Sequence, residues 1–244
     1  MFYALDKTRV RVPIELADKK NRYHCPCCNR SVIVKQGKIN AWHYAHEPGS
    51  DCDASFSEMT AWHKAWQERF PEECREGIVE DITGYKRIAD VKISNITIEF
   101  QTRSIPKDVF DARNRHHIRA SKEVLWVFNC LDKEIWLTRK VNEEDGTFND
   151  KYWARWAYPN RLLAKYSYYT WGKRRALQDK DSNEWFNNIV IFLQWNEKEL
   201  LQLLYVHPLR ENMGSFLCRC IGIDDFVRKI SEEHMKPMQL AIEI

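Results

Sequence analysis

The rhythm of apolar and polar positions changes near residue 56. Before it, Phe2–Leu5, Val10–Ile14 and Ser31–Val34 are short apolar or alternating pieces separated by polar turns, and they read as strands. From Phe56 on, Met59, Trp62, Trp66 and Phe70 recur at helical spacing until Pro71 stops the run. Ile78–Glu80, Arg87–Ile93 and Ile96–Gln101 then predict three consecutive strands. Pro106 opens a helix reaching about Ala120, and Val124–Phe128 predicts a buried strand with Glu134–Thr138 paired to it. The order is α-β-β-β-α-β. Residues 142–150 are polar and turn-rich and read as a linker. Beyond them, Lys151–Lys180 is aromatic and basic, and the rest alternates apolar segments with helices, including Asp224–His234. The expected class is α+β or α/β in three regions: a small module over 1–56, a core over 57–141, and a mixed, mainly helical C-terminal region over 142–244.

Composition narrows this picture. A chain of 244 residues with 13% aromatics and only 8 Gly and 8 Pro is neither disordered nor a coiled coil. The net charge of +3 leaves a nucleic-acid partner open. No apolar run approaches the ~18 residues that span a bilayer, and the start shows no hydrophobic signal segment. The expectation is a cytoplasmic protein with no membrane partner. Its eight cysteines then read as thiols or metal ligands rather than disulfides.

Cys25-Pro26-Cys27-Cys28 contains a Cys-x-x-Cys pair, followed by His46 and Cys52. Two thiolates on a tight turn, completed by a later His and Cys, make a tetrahedral zinc site. Such a site would add folding energy to a module too small to build much core. His43 competes with His46. Residues three apart on an extended segment face opposite ways, and His46 lies nearer Cys52. Buried free cysteines are the plain alternative, with Cys27 a spare in either case.

The second candidate is a pair of acids. Alternation puts Thr97, Glu99 and Gln101 on one face of their strand, and Ile88, Asp90 and Lys92 on one face of the preceding one. If Ser94-Asn95 is a two-residue turn, Ile93 meets Ile96, Lys92 meets Thr97, Val91 meets Ile98, and Asp90 meets Glu99. Two carboxylates roughly 5 Å apart repel unless a proton or a cation lies between them, and a hard divalent ion such as Mg²⁺ resolves the conflict. A solvated hairpin with charges on its outer face fits the pattern equally. Glu58 sits on the edge of the buried stripe of its helix, either turned to that site or favouring the first helical turn behind a Ser55 or Ser57 cap. His63 either faces the same cleft or is packed in the core.

At these residues the sequence resembles the competence CoiA-like nucleases, through "YHCPCC", "AWHYAH", "SEMTAWHKAW", "RIADV", "IEFQTRSI", "ARNR" and "VLWVFN", over roughly residues 1–138. The resemblance implies a zinc-ribbon-like segment joined to a restriction-endonuclease-like PD-(D/E)xK core. It implies a Mg²⁺- or Mn²⁺-dependent deoxyribonuclease serving DNA uptake, recombination or defence, with DNA and a recombination or defence protein as partners. It assigns Asp90, Glu99 and Glu58 as metal ligands. Gln101 stands where many relatives carry lysine, and it would orient water or a phosphate oxygen. Lys64, Lys92 and Arg113 are the candidates for the missing positive charge. A catalytically silent DNA-binding accessory with the same fold is the alternative.

Arg103, Lys107 and Arg113 follow the acid pair closely and could contact phosphates. In Lys151–Lys180 basic residues, Arg174 and Arg175 among them, interleave with aromatics in the manner of a nucleic-acid surface. A solvated helix face and core aromatics are the respective alternatives.

Overall fold

In the computed structural model, described for residues 1–38, 41–47, 52, 60–102, 105–121, 123–133, 135–141, 148–156, 189–206 and 214–234, the chain builds two sheets and three helices. The first sheet contains β1 (Tyr3–Leu5), β2 (Arg11–Pro13), β3 (Tyr23–His24), β4 (Ser31–Lys35) and β5 (His43–His46) in the order β2-β1-β3-β4-β5. Its core is small: Phe2, Tyr3, Ile14, Tyr23 and Tyr44, together with Cys25 and Cys52.

The second sheet has nine strands. They are β6 (Arg75–Glu80), β7 (Lys86–Ile93), β8 (Ile96–Gln101), β9 (Glu123–Asn129), β10 (Ile135–Val141), β11 (Phe148–Trp156), β12 (Ile189–Gln194), β13 (Glu199–Val206) and β14 (Gly214–Gly222). Their order is β10-β11-β14-β13-β12-β9-β8-β7-β6. Strands β6, β7 and β8 form an antiparallel meander, and β8 and β9 are parallel, so α2 (Lys107–Ala120) must cross over between them. Val124, Trp126 and Phe128 pack with Phe110 of α2. On the other face, Leu125 and Val127 share a core with Trp66 of α1 (Ala61–Gln67) and Phe226 of α3 (Ile223–His234). Within 57–141 the expected α-β-β-β-α-β order is therefore present as far as β9.

Beyond β9 the expectations need correcting. Glu134–Thr138 does not pair with β9; β10 lies at the far edge of the sheet, against β11. The place beside β9 goes to β12, in parallel, with Ile191↔Trp126 and Leu193↔Phe128. The reason lies in the side chains. β9 is buried on both faces, and its match is another strand apolar on both, Ile189-Val190-Ile191-Phe192-Leu193, whereas β10 exposes Trp136. The described residues of the C-terminal region are correspondingly mainly strand, not mainly helical: they supply β11 to β14 and one helix, α3. The boundary at 141/142 falls within one continuous sheet, and residues 148–150 of the expected linker begin β11.

The small module docks on β6 and β7. Glu76 is buried and in the left-handed region at φ 46°, and its carboxylate accepts the amides of Phe2 and Tyr3, the latter at 3.0 Å. Arg11 lies over the Tyr3 ring at 3.8 Å and donates to the carbonyls of Glu72 and Arg75. Cys27 donates its thiol to the Lys86 carbonyl at 3.2 Å, and Ile88 of β7 packs into the module's core. No described helix is long and apolar enough to cross a membrane.

Candidate functional site

Cys25 and Cys28 lie on the turn between β3 and β4, His46 ends β5, and Cys52 follows. One ligand atom from each falls within 4.8 Å of all the others. The Cys25 and Cys52 sulfurs are 4.0 Å apart, close to the roughly 3.8 Å edge of a tetrahedron with 2.3 Å zinc–sulfur bonds. Cys28 Sγ lies 3.2 Å from His46 Nε2. The donor set fits a structural metal such as zinc, and four protein ligands leave no open position for chemistry. Without an ion, the neighbouring Cys52 and then burial hold the Cys25 thiol far above its ordinary value, so metal entry must displace protons. Cys27 is outside the cluster, as expected. His43 is too: its Nδ1 lies 2.8 Å from the Ala41 carbonyl.

The β7–β8 hairpin turns through Ser94-Asn95, with Ser94 at φ 49°, and the register is Ile93↔Ile96, Lys92↔Thr97 and Val91↔Ile98. There the ladder stops. At the next step Asp90 turns its carboxylate into the strand gap, where Oδ2 accepts the Phe100 amide at 2.8 Å and Oδ1 accepts from Gln67 Nε2 at 3.1 Å. Glu99 is only 2% exposed, because α2 covers the face that a solvated hairpin would leave to water. Arg113 Nη1 donates to its Oε2 at 2.9 Å, and His117 Nε2 to its Oε1 at 2.7 Å.

The two acids respond oppositely to these surroundings. Burial, and then repulsion from Glu99, push Asp90 up to about 7. Burial works the same way on Glu99, but Arg113 and His117 outweigh it and hold that carboxyl below its usual range. The pair therefore contains one acid held in its ionised form more firmly than usual and one that ionises near neutrality. This asymmetry follows from α2 bonding Arg113 and His117 to Glu99 alone, while the Arg113 charge lowers Asp90 by less than burial and Glu99 raise it.

Of the three candidates for a positive charge, Arg113 is the one at the acids. Lys64 pairs with Glu15 and Glu68, and Lys92 donates to the Ile78 carbonyl. The same finding corrects the reading of Arg113 as a phosphate contact: it is a buried partner of Glu99. His63 is a packed core residue. It lies 2.7 Å from the Phe100 carbonyl and caps against Thr60, and burial lowers its pKa. Thr60 caps α1, and Ser55 and Ser57 lie outside the described residues. Glu58, Arg103, Arg174 and Arg175 lie outside the described residues, as does the Lys151–Lys180 segment from 157 on. Lys107 opens α2. Gln101 ends β8 two residues beyond Glu99.

Gln67 and His117 were not anticipated. His117 had a signal: Phe110, Arg113, Asn114 and His117 form the buried stripe of α2, so three polar residues occupy core positions that demand partners. Asn114 finds Trp126 Nε1 at 2.8 Å, and the other two find Glu99. Gln67 has no comparable sequence signal, since its role arises from the end of α1 meeting the gap between β7 and β8.

Residues 6–55 match the family model of the competence protein CoiA, N-terminal domain. The small module is CoiA-like. The match takes in the Cys-x-x-Cys turn, His46 and Cys52, and covers about a fifth of the chain. No curated protein and no solved structure matches the chain significantly.

Proposed function

We propose that the protein is a CoiA-like, divalent-metal-dependent deoxyribonuclease that hydrolyses phosphodiester bonds at the Asp90–Glu99 pair. The observation that carries this reading is the pair itself: two acids brought together where the strands part, with Asp90 poised near neutral pH beside an ionised Glu99. Asp90 is partly open to solvent, and each Glu99 oxygen keeps a lone pair beyond its hydrogen bond, so the residues fit a hard cation such as Mg²⁺ or Mn²⁺. A bound divalent ion supplies polarisation of the phosphate and acidification of a water. Glu99 would hold the site's negative charge, with Arg113 fixing the carboxylate's orientation. Gln67 and the Phe100 amide would hold Asp90 in place, and Gln101 would aim the attacking water. The link to DNA uptake, recombination or defence rests on the CoiA-like module.

One observation favours the second reading, a silent DNA-binding accessory. Both Glu99 oxygens are engaged by side-chain donors, Arg113 and His117, and these would compete with an ion. Single- and double-stranded DNA incubated with Mg²⁺ or Mn²⁺, wild type against Asp90→Asn, separates the two. Cleavage by the wild type alone supports the nuclease. Intact DNA in both samples with binding retained favours the accessory. Calorimetric titration with Mn²⁺ adds a readout without DNA, with binding expected only when Asp90 is present.

A further inference from the structure

We infer that the CoiA-like module carries a stacking site for single-stranded nucleic acid, formed by Trp42 and Leu16 and bordered by lysines. Trp42 is 45% exposed, an unusual place for so large an apolar ring. It is also held in position: its Nε1 donates to the Gly37 carbonyl at 3.1 Å, fixing the indole across the connection between β4 and β5. The pairing Lys35↔His43 places Gln36 at the position beside Trp42. Gln36 Nε2 donates in turn to the carbonyls of Ile14 and Ala17, at 3.1 and 3.3 Å, and so pins the short 3₁₀ turn that raises Leu16, 75% exposed, into solvent. Gln36 thus ties the turn that carries Leu16 to the end of β4, across from the position that carries Trp42.

Charge selects the occupant. Residues 19–38 contain six Lys/Arg and no Asp or Glu, in a chain that is otherwise nearly balanced. Lys19, Lys20, Lys35 and Lys38 are all exposed. A fixed, exposed indole on a module with this basic surface suits a strand that offers both a free base face and phosphates. A duplex keeps its base faces covered, and so provides only the phosphates. The partner class rests on the proposed nuclease reading, but the site lies in the module and uses neither acid of the pair.

The test measures fluorescence anisotropy of labelled oligothymidine against an abasic strand of equal length and against duplex. It uses the full zinc-loaded chain carrying Asp90→Asn, without added Mg²⁺. The expected result is oligothymidine bound about tenfold more tightly than the abasic strand, the scale of one stacked base. Trp42→Ala should abolish that preference and Trp42→Phe keep most of it. Lys35→Glu with Lys38→Glu should weaken both strands and flatten the salt dependence. Leu16→Ser, at an exposed position, gives a second variant whose folding is not at risk, with a reduced preference expected. Equal binding of thymidine and abasic strands by the parent chain, or a preference unchanged in Trp42→Ala and Leu16→Ser, overturns the site. Base-dependent binding without Asp90-dependent cleavage in the unmutated chain would instead overturn only the nuclease.

Discussion

Arg113 donates to Glu99 at 2.9 Å in a place where neither side chain is more than a tenth exposed. Removing one partner of such a pair strands a charge in the interior, which costs about 3–5 kcal/mol. Arg113→Met should therefore lower the unfolding free energy by that amount in urea titration. Arg113→Met with Glu99→Leu should recover much of it. A single variant within about 1 kcal/mol of wild type would contradict the burial of this pair.

Asp90 has its pKa raised to about 7 by folding. The folded chain then binds more protons than the unfolded one between about pH 4 and 7, so this group's contribution to stability falls as pH rises through that window. Asp90→Asn removes the loss, by up to about 4 kcal/mol at pH 8. The expected outcome is a variant that melts higher than wild type at pH 8, with the gap closing towards pH 4.5. Mn²⁺ should raise the melting temperature of the wild type and leave the variant unmoved.

Glu76 holds the module through the amides of Phe2 and Tyr3. Glu76→Gln keeps the size but removes one acceptor oxygen and the charge, leaving a buried amide short of a partner at a cost of about 1–3 kcal/mol. Hydrogen exchange should speed up at Phe2 and Tyr3 before it does in β9. Unchanged protection at both amides would exclude the latch.

The metal cluster predicts about one zinc per chain, lost in Cys25→Ser with Cys28→Ser. Chelation should destabilise the module first, because the ion supplies folding energy that its few core residues cannot. Cys27→Ser should retain the metal. Full zinc content in the Cys25 and Cys28 variant would move the site elsewhere.

Local features of the chain were legible because local chemistry sets them. The Cys-x-x-Cys turn, the helix opened by Pro106, and the Ser94-Asn95 hairpin with its register as far as Val91↔Ile98 each depend on residues a few positions apart. Strand alternation said that only one of His43 and His46 serves the cluster, and nearness to Cys52 chose His46. The partner of β9 was not legible: apolar runs at 124–128 and 189–193 say that both strands are buried, not that they are neighbours.

By itself the sequence determined that two acids share one hairpin and that four metal-ligating side chains share one small module. Only the tertiary structure decided what the acids are: α2, folding across the sheet, bonds Arg113 and His117 to Glu99, while α1 brings Gln67 to Asp90. The physical reason is that proton affinity in a buried site depends on solvent access and on charges arriving from distant parts of the chain. Neither is encoded in the spacing of the residues that carry the proton.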